Sequence, residues 1–221
     1  MVEPVETTRA AQYGSAAMTI LYAMAVAAEY GEHLRQRFTP VWTGVGPVEA
    51  GVALGAELAW RAAHQDLPDL VVSLGSCGSN RFAQGSVFQV ATVGYRDIDA
   101  TPLGFPKGRT PFLDLPERVE LPYRIPDLPE AHLSTGGAVV SGADAYATVD
   151  SDLVDMETFA ILRACQRFEV PLVGLRGVSD GAAELTHYAD WAEYLHVVDE
   201  RLAGAVDALE RAWAAGTLVR R

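Results

Sequence analysis

Four apolar runs separated by stretches of helical period constrain this chain more than any other feature. The runs are Thr19–Ala25, Leu70–Leu74, Val87–Tyr95 and Leu172–Val178. Each is short, and glycine, proline or a polar cluster bounds the last three of them, as expected of buried strands. Between and after them, about Ala28–Arg37, Val48–His64, Met156–Arg167 and Asp190–Ala215 read as helices. Pro47 stands just inside the start of the second helix, where its fixed φ is favourable. Shorter strands are expected at Val41–Thr43, His132–Ser134 and Val139–Ser141, and a turn at Gly75-Ser-Cys-Gly78-Ser. Strands alternating with helices predict an α/β fold, a three-layer α/β/α sandwich around a central mixed, mainly parallel sheet.

The 221 residues suit one domain, and 49% hydrophobic with 21% charged residues is ordinary globular composition. Residues 1–17 show no periodicity and read as an extension, leaving 18–221 as a single domain. The net charge of −12 argues against nucleic acid and against an anionic membrane surface as partners. It leaves a small neutral or cationic substrate compatible, with Arg96 and Arg176 as local basic sites. Cys77 and Cys165 form no disulfide framework, and the five histidines show no zinc-ligand spacing, so no metal is expected. The apolar stretch 16–28 follows acidic residues and is broken by Thr19 and Tyr22, so it reads as a first strand rather than a signal peptide. A cytoplasmic protein is the expectation. Residues 96–130 carry seven of the twelve prolines, a long excursion of the kind that is usually functional or interfacial.

Two carboxylates stand where such a fold presents chemistry. Asp180 directly follows the strand 172–178, at the carboxyl edge where α/β sheets bind ligands, although a turn aspartate reads the same way. Glu157, in Val154-Asp-Met-Glu-Thr-Phe-Ala, stands at a helix start among apolar neighbours. It is either a solvated first-turn glutamate or an inward functional one. Gly44-Val-Gly46 lacks the third glycine of a dinucleotide fingerprint. Gly177-Val-Ser179-Asp-Gly181 matches the nucleophile elbow of serine hydrolases. However, a single helix follows it, and Asp190 and His196 point in different directions along that helix. Cys77 reads as a buried filler, since nothing near it lowers a thiol pKa.

Gly44-Val-Gly46-Pro-Val-Glu-Ala50, Gly75-Ser76-Cys-Gly78, Ser141-Gly-Ala-Asp-Ala-Tyr146, Met156-Glu157 and Ser179-Asp180 follow one another in that order. In this series the chain resembles the 5′-methylthioadenosine/S-adenosylhomocysteine nucleosidase branch of the nucleoside phosphorylase/hydrolase superfamily. The resemblance extends to the loop Tyr95-Arg-Asp-Ile-Asp-Ala-Thr-Pro-Leu-Gly-Phe105. It implies a homodimer that hydrolyses the N-glycosidic bond of a 5′-modified purine nucleoside without a cofactor, releasing adenine. By the same resemblance Asp180, beside Ser179, addresses N7 of the purine. Glu157 bonds the ribose hydroxyls, and Met156 and Met24 pack near the sugar. Ser76 and Gly78 lie beside the reacting carbon, and Tyr146 stacks on the base. Ala100, Leu103 and Phe105 line the partner's 5′ pocket. The phosphate-gripping arginine of the phosphorylases is replaced by Ser73, which favours water as nucleophile.

The family's first strand ends in Ala-Met-x-x-Glu, and that glutamate activates the attacking water. Here the position is Ala27, which neither accepts a proton nor orients water. Three explanations stand side by side: an engineered replacement, a natural loss, or rescue by Glu29 two residues on. The rival functions are a nucleoside phosphorylase, a futalosine-type hydrolase, a catalytically silent nucleoside-binding protein and a serine esterase.

Overall fold

The computed structural model describes residues 18–181 and 183–220; the extension expected over 1–17 lies outside them. The chain runs β1 (Ile20–Met24), a 3₁₀ turn at Ala27–Glu29, α1 (Glu32–Arg35), β2 (Val41–Trp42) and α2 (Pro47–Ala63). Next come β3 (Leu70–Gly78), β4 (Val87–Tyr95), β5 (Arg118–Glu120), β6 (Tyr123–Arg124) and β7 (Glu130–Thr135). The second half holds α3 (Ala143–Tyr146), β8 (Leu153–Asp155), α4 (Thr158–Arg167), β9 (Leu172–Asp180), α5 (Tyr188–Ala192), α6 (Leu195–Ala214) and β10 (Val219–Arg220).

Two-residue alternation builds the sandwich. Along β1, Leu21 and Ala23 join one core with Leu54 and Leu58 of α2 and Ile161 and Cys165 of α4. Tyr22 and Met24 join a second core with Leu34 of α1 and Leu202, Val206 and Leu209 of α6. β3 repeats the pattern, with Val71 facing α2 and α4 and Leu70, Val72 and Leu74 facing α6. The sheet is mixed: β1–β2, β1–β3, β3–β9, β4–β7 and β7–β8 pair parallel, while β3–β8, β4–β5 and β4–β9 pair antiparallel. The expected sandwich is therefore present.

The sheet also rolls up. β3 pairs along its length with β9, β9 with β4, β4 with β7 and β7 with β8, and β8 returns to β3 at Val154↔Gly78. The interior of this five-stranded ring is polar where Arg176 enters it. That guanidinium, 1% exposed, donates to Asp155 at 3.0 and 3.2 Å, to the Ser73 carbonyl and hydroxyl, and to Thr158 Oγ1 at 2.6 Å. Arg176 thus pins β9 to β3, β8 and α4, and its donors are engaged within the protein rather than offered to an anion.

Several expectations are corrected. Gly75–Gly78 is the end of β3, held by β9 alongside, and not a turn. No strand forms at Val139–Ser141, where Val139 and Val140 line a cavity and the segment pairs with no strand. The helix expected from Met156 starts at Thr158, because β8 occupies Leu153–Asp155. The helix expected over 28–37 is the 3₁₀ turn and a four-residue α1, separated by Tyr30 and Gly31. The C-terminal helix breaks after Ala192 into α5 and α6. The excursion 96–130 contains β5 and β6 as well as irregular chain.

Removing one partner of a buried ion pair strands the other charge, which costs about 3–5 kcal/mol. Arg176→Met is expected to lower the unfolding free energy by about that amount, read from urea denaturation midpoints at constant m-value. A loss below about 1 kcal/mol would show that Arg176 does not clamp the ring.

Candidate active site

The carboxyl ends of β1, β3, β8 and β9 meet at a cavity of about 420 Å³. The segment leaving β1 supplies its first carboxylate. A 3₁₀ turn has three residues per turn, so positions i and i+3 share a face. Val26 and Glu29 therefore face the same way, joined by the Glu29 N–H bond to the Val26 carbonyl, and both line the cavity. Ala27 is exposed and does not line it. The candidate base is consequently Glu29. Placing the expected glutamate at position 27 is corrected by the 3₁₀ geometry, which turns residue 29 inward.

Glu29 is 6% exposed. Its Oε1 accepts the Ser76 N–H at 2.8 Å and the Ser76 hydroxyl at 2.6 Å, whereas the buried Oε2 has no hydrogen-bond partner among the described residues. Burial raises its pKa, and the two Ser76 bonds and Arg176 offset that only in part.

Asp180 is the last residue of β9. The β3–β9 register slips here, pairing Cys77 with Val178 but Gly78 with Asp180, so Ser179 is the extra residue of a bulge. Bulges re-aim side chains beside functional sites. Here Asp180 lines the cavity while Ser179, fully buried, donates its hydroxyl to Asp180 Oδ1 at 2.7 Å. Burial raises the Asp180 pKa against that bond. A Cβ on Gly78 would overlap the Tyr146 hydroxyl and lie 2.8 Å from Asp180 Oδ2, so only glycine fits there. The buried Tyr146 sits behind Gly78 and does not line the cavity; its hydroxyl has no partner among the described residues. Burial, then the Asp180 charge, raises its pKa.

Glu157 occupies the position before α4 and accepts the Gly46 N–H at 2.9 Å. Gly46 presents that amide with φ +94°, a conformation that side-chain-bearing residues rarely adopt. Burial, and next the Asp155 charge, push the Glu157 carboxyl up to about 7. Met156 lines the cavity beside it.

Seven of the sequence-derived residues occupy other places. Met24 is 1% exposed beneath α1 and α6, because the β1 pleat turns it away and brings Ala25 to the cavity. Ser179 lies under Asp180, and Tyr146 behind Gly78. Ala100, Leu103 and Phe105 lie on the excursion, away from this cavity, with Leu103 77% exposed. Ala27 points outward. Cys77 is buried with its thiol pKa raised well above the ordinary value by desolvation, which suits a filler and not a nucleophile.

Sequence reasoning missed Trp191, Tyr188 and Leu185, which close the cavity from the chain around α5. It also missed Val139 and Val140, on the segment that follows β7. Arg96 lines the cavity too, but its guanidinium donates to the carbonyls of Ser134, Gly136, Ala138 and Asp155, holding that segment down. Burial lowers its pKa. The one signal for α5 was an aromatic pair, Tyr188 and Trp191, three residues apart on one helical face. Among the described residues no group of side chains could hold a metal, and no helix is long and apolar enough to cross a membrane.

A carboxyl whose folded pKa exceeds its unfolded value weakens the fold once it ionises. The cost of Glu157 is absent below the unfolded value and grows as pH rises from about 4.5 to about 7. Glu157→Gln, which still accepts the Gly46 N–H, is expected to raise the urea midpoint at pH 8 and to change it little at pH 4. Equal effects at both pH values would rule out the strained ionised glutamate.

Comparison with known proteins agrees with this geometry. A family model for the phosphorylase superfamily matches residues 24–211. A 5′-methylthioadenosine/S-adenosylhomocysteine nucleosidase of Haemophilus influenzae (strain PittEE) is 28% identical over 156 residues, 63% of this chain and 66% of that one. The match thus spans just under two thirds of that relative's length. The same enzyme of Haemophilus ducreyi is 27% identical over 76% of this chain and 77% of its own. Among solved structures, the nucleosidase of that name from Neisseria meningitidis, in complex with methylthio-immucillin-A, superposes with a TM-score of 0.72 at 22% identity. That superposition covers 88% of this chain and 99% of the other. A futalosine hydrolase mutant of Helicobacter pylori gives 0.73 at 16% identity, over 88% and 99% of the two chains. These two structural likenesses speak to the fold. With a matched region running from the end of β1 into the last turns of α6, the chain belongs to the phosphorylase superfamily and resembles its 5′-methylthioadenosine/S-adenosylhomocysteine nucleosidase branch.

Proposed function

We propose that this chain hydrolyses the N-glycosidic bond of a 5′-modified purine nucleoside, with methylthioadenosine and S-adenosylhomocysteine as the first candidates. The observation that carries the reading is one cavity that brings together, besides the Asp155 paired with Arg176, three carboxyls in different environments. Glu29 has a free Oε2, Asp180 is backed by the Ser179 hydroxyl, and Glu157 is held by the Gly46 amide.

Adenine leaves poorly as an anion and well once N7 is protonated. Asp180, whose pKa burial raises, lines the cavity and is the group that donates that proton in this reading. As the C1′–N9 bond breaks, the sugar gains oxocarbenium character, and Glu157 bonds to the ribose hydroxyls strengthen with the growing charge. Water adds to C1′ and gives its proton to Glu29, yielding adenine and the free 5′-modified ribose. Exchange with solvent then returns a proton to Asp180 and removes one from Glu29. Val45, Val139, Val140, Leu185 and Tyr188 give the cavity an apolar wall that suits a thioether substituent. A buried glutamate at position 29 supports an active enzyme in place of the disabled one that Ala27 suggested.

The same reading takes the chain as a cytoplasmic homodimer. The exposed Val48 and Val52 on α2 and Leu103 and Phe112 on the excursion supply apolar surface for a second copy. Sedimentation equilibrium tests this directly, and a monomer at micromolar concentration would remove the dimer from the proposal.

Adenine release from methylthioadenosine in phosphate-free buffer is the test of function. Glu29→Gln and Asp180→Asn are each expected to lower kcat by roughly 10²–10⁴-fold, the usual worth of a general base or acid. Ala27→Glu is expected to leave kcat within about twofold, since its side chain points away from the cavity. Full activity in Glu29→Gln, or release only with added phosphate, would overturn the assignment of Glu29 or of water respectively. Release from a futalosine-type substrate but not from methylthioadenosine would move the 5′ group.

A further inference from the structure

Trp191 is bonded directly to the partner of the candidate base. Its indole N–H donates to Ser76 Oγ at 3.0 Å, and Ser76 Oγ in turn donates to Glu29 Oε1 at 2.6 Å. An indole nitrogen can only donate, and a hydroxyl has one proton and two lone pairs. With the Trp191 N–H on one lone pair, the Ser76 proton is directed to its acceptor, Glu29 Oε1, which also takes the Ser76 N–H at 2.8 Å. The direction of the chain is therefore settled from Trp191 through Ser76 to Glu29. With two donors aimed at Oε1, a proton arriving at Glu29 is left to Oε2, the buried oxygen without a protein partner.

We propose that Trp191 is a positioning residue for Glu29, acting through Ser76 to reserve Oε2 as the single proton-accepting atom. The inference rests on the proposed role of Glu29 as base. Bonds in such a chain polarise one another, so the indole strengthens the Ser76 bond to the carboxylate. The local chain is built to place this tryptophan. Asp190 Oδ2 accepts the N–H groups of Thr186 and His187 and the Thr186 hydroxyl, which fixes the start of α5, and Tyr188 packs edge-on against the Trp191 ring at 5.2 Å. The seat of α5 beside the cavity and the hydrogen bonding of Glu29 thereby belong to one network.

Other charges also act on Glu29 and enter any titration. They are Asp155 at the end of β8, Glu157 beside it, and Arg176 on β9, with the Cys77 thiol on β3 adjacent. All remain in place when Trp191 is replaced by phenylalanine, which keeps a ring and deletes only the indole N–H and part of the area.

The experiment pairs Trp191→Phe with two readouts. In the pH profile of kcat/KM for adenine release, losing the N–H is expected to move the acid limb up by about 0.5 pH unit, with kcat reduced several-fold. A variant that raises KM alone and leaves the acid limb unmoved shows a wall residue only, and overturns the proposal. The second readout needs no activity. The fluorescence of Trp191, taken as the difference between the parent and Trp191→Phe, is expected to titrate with pH in substrate-free protein. That titration should disappear in Glu29→Gln. A difference signal that is flat in the parent, or that titrates identically in Glu29→Gln, overturns the relay whether or not the protein releases adenine. A titration that depends on Glu29 in a protein inactive towards every nucleoside supports the relay and refutes the proposed reaction instead.

Discussion

The buried pair of Arg176 and Asp155 is the contact on which the remainder of this structure depends. Burial alone would lower the guanidinium pKa, but Asp155, Glu157 and Glu29 more than offset it and leave it raised. The same Asp155 carboxylate accepts the Thr135 hydroxyl at 2.6 Å and the Thr158 N–H at 3.0 Å. One ion pair thereby ties β3, β7, β8 and β9 to the first turn of α4. Those are the elements that carry Ser76, Glu157 and Asp180. A ring of strands with an apolar interior could slide by a residue pair; one filled by a fork of directed hydrogen bonds has a single register.

The charge at the centre also organises the chemistry. Glu29 and Glu157 lie near enough to Arg176 for it to favour their ionised forms, while Asp155 pushes both the other way. Asp180 is raised by burial with only the Ser179 bond opposing. The cavity therefore holds carboxyls of one chemical type in different surroundings, and such differences are what allow acid and base work to be divided at one pH. Gly78 completes this arrangement by leaving room for the Tyr146 hydroxyl and Asp180 to lie side by side.

Local patterning carried much of this into the sequence. The boundaries of β4 and the approximate spans of α2, β9 and α6 follow from periodicity, because each buries a continuous face. Asp180 and Glu157 were legible because each adjoins an apolar element at the edge where α/β sheets present ligands. The turn reading of Gly75–Gly78 failed because a strand partner a hundred residues away, β9, decides whether glycines extend or reverse. β8 was invisible because three residues carry no period of their own, and they become a strand only between β3 and β7.

The largest difference between the two views lies within three residues. The sequence by itself determined that a glutamate follows the first strand, that it lies two positions beyond the family spacing, and that an α/β sandwich surrounds it. Which of Ala27 and Glu29 meets the cavity was decided only in three dimensions. The segment after Met24 is held by the Thr43 and Gly44 amides and closes as a 3₁₀ turn, so residue 29 shares a face with residue 26. The same holds for Trp191: its ring was plain in the sequence, but its bond to Ser76 requires α5 to fold back over the end of β3. Periodic burial is a local property and can be read along a chain, whereas the meeting of one carboxylate, one hydroxyl and one indole depends on how distant elements are packed.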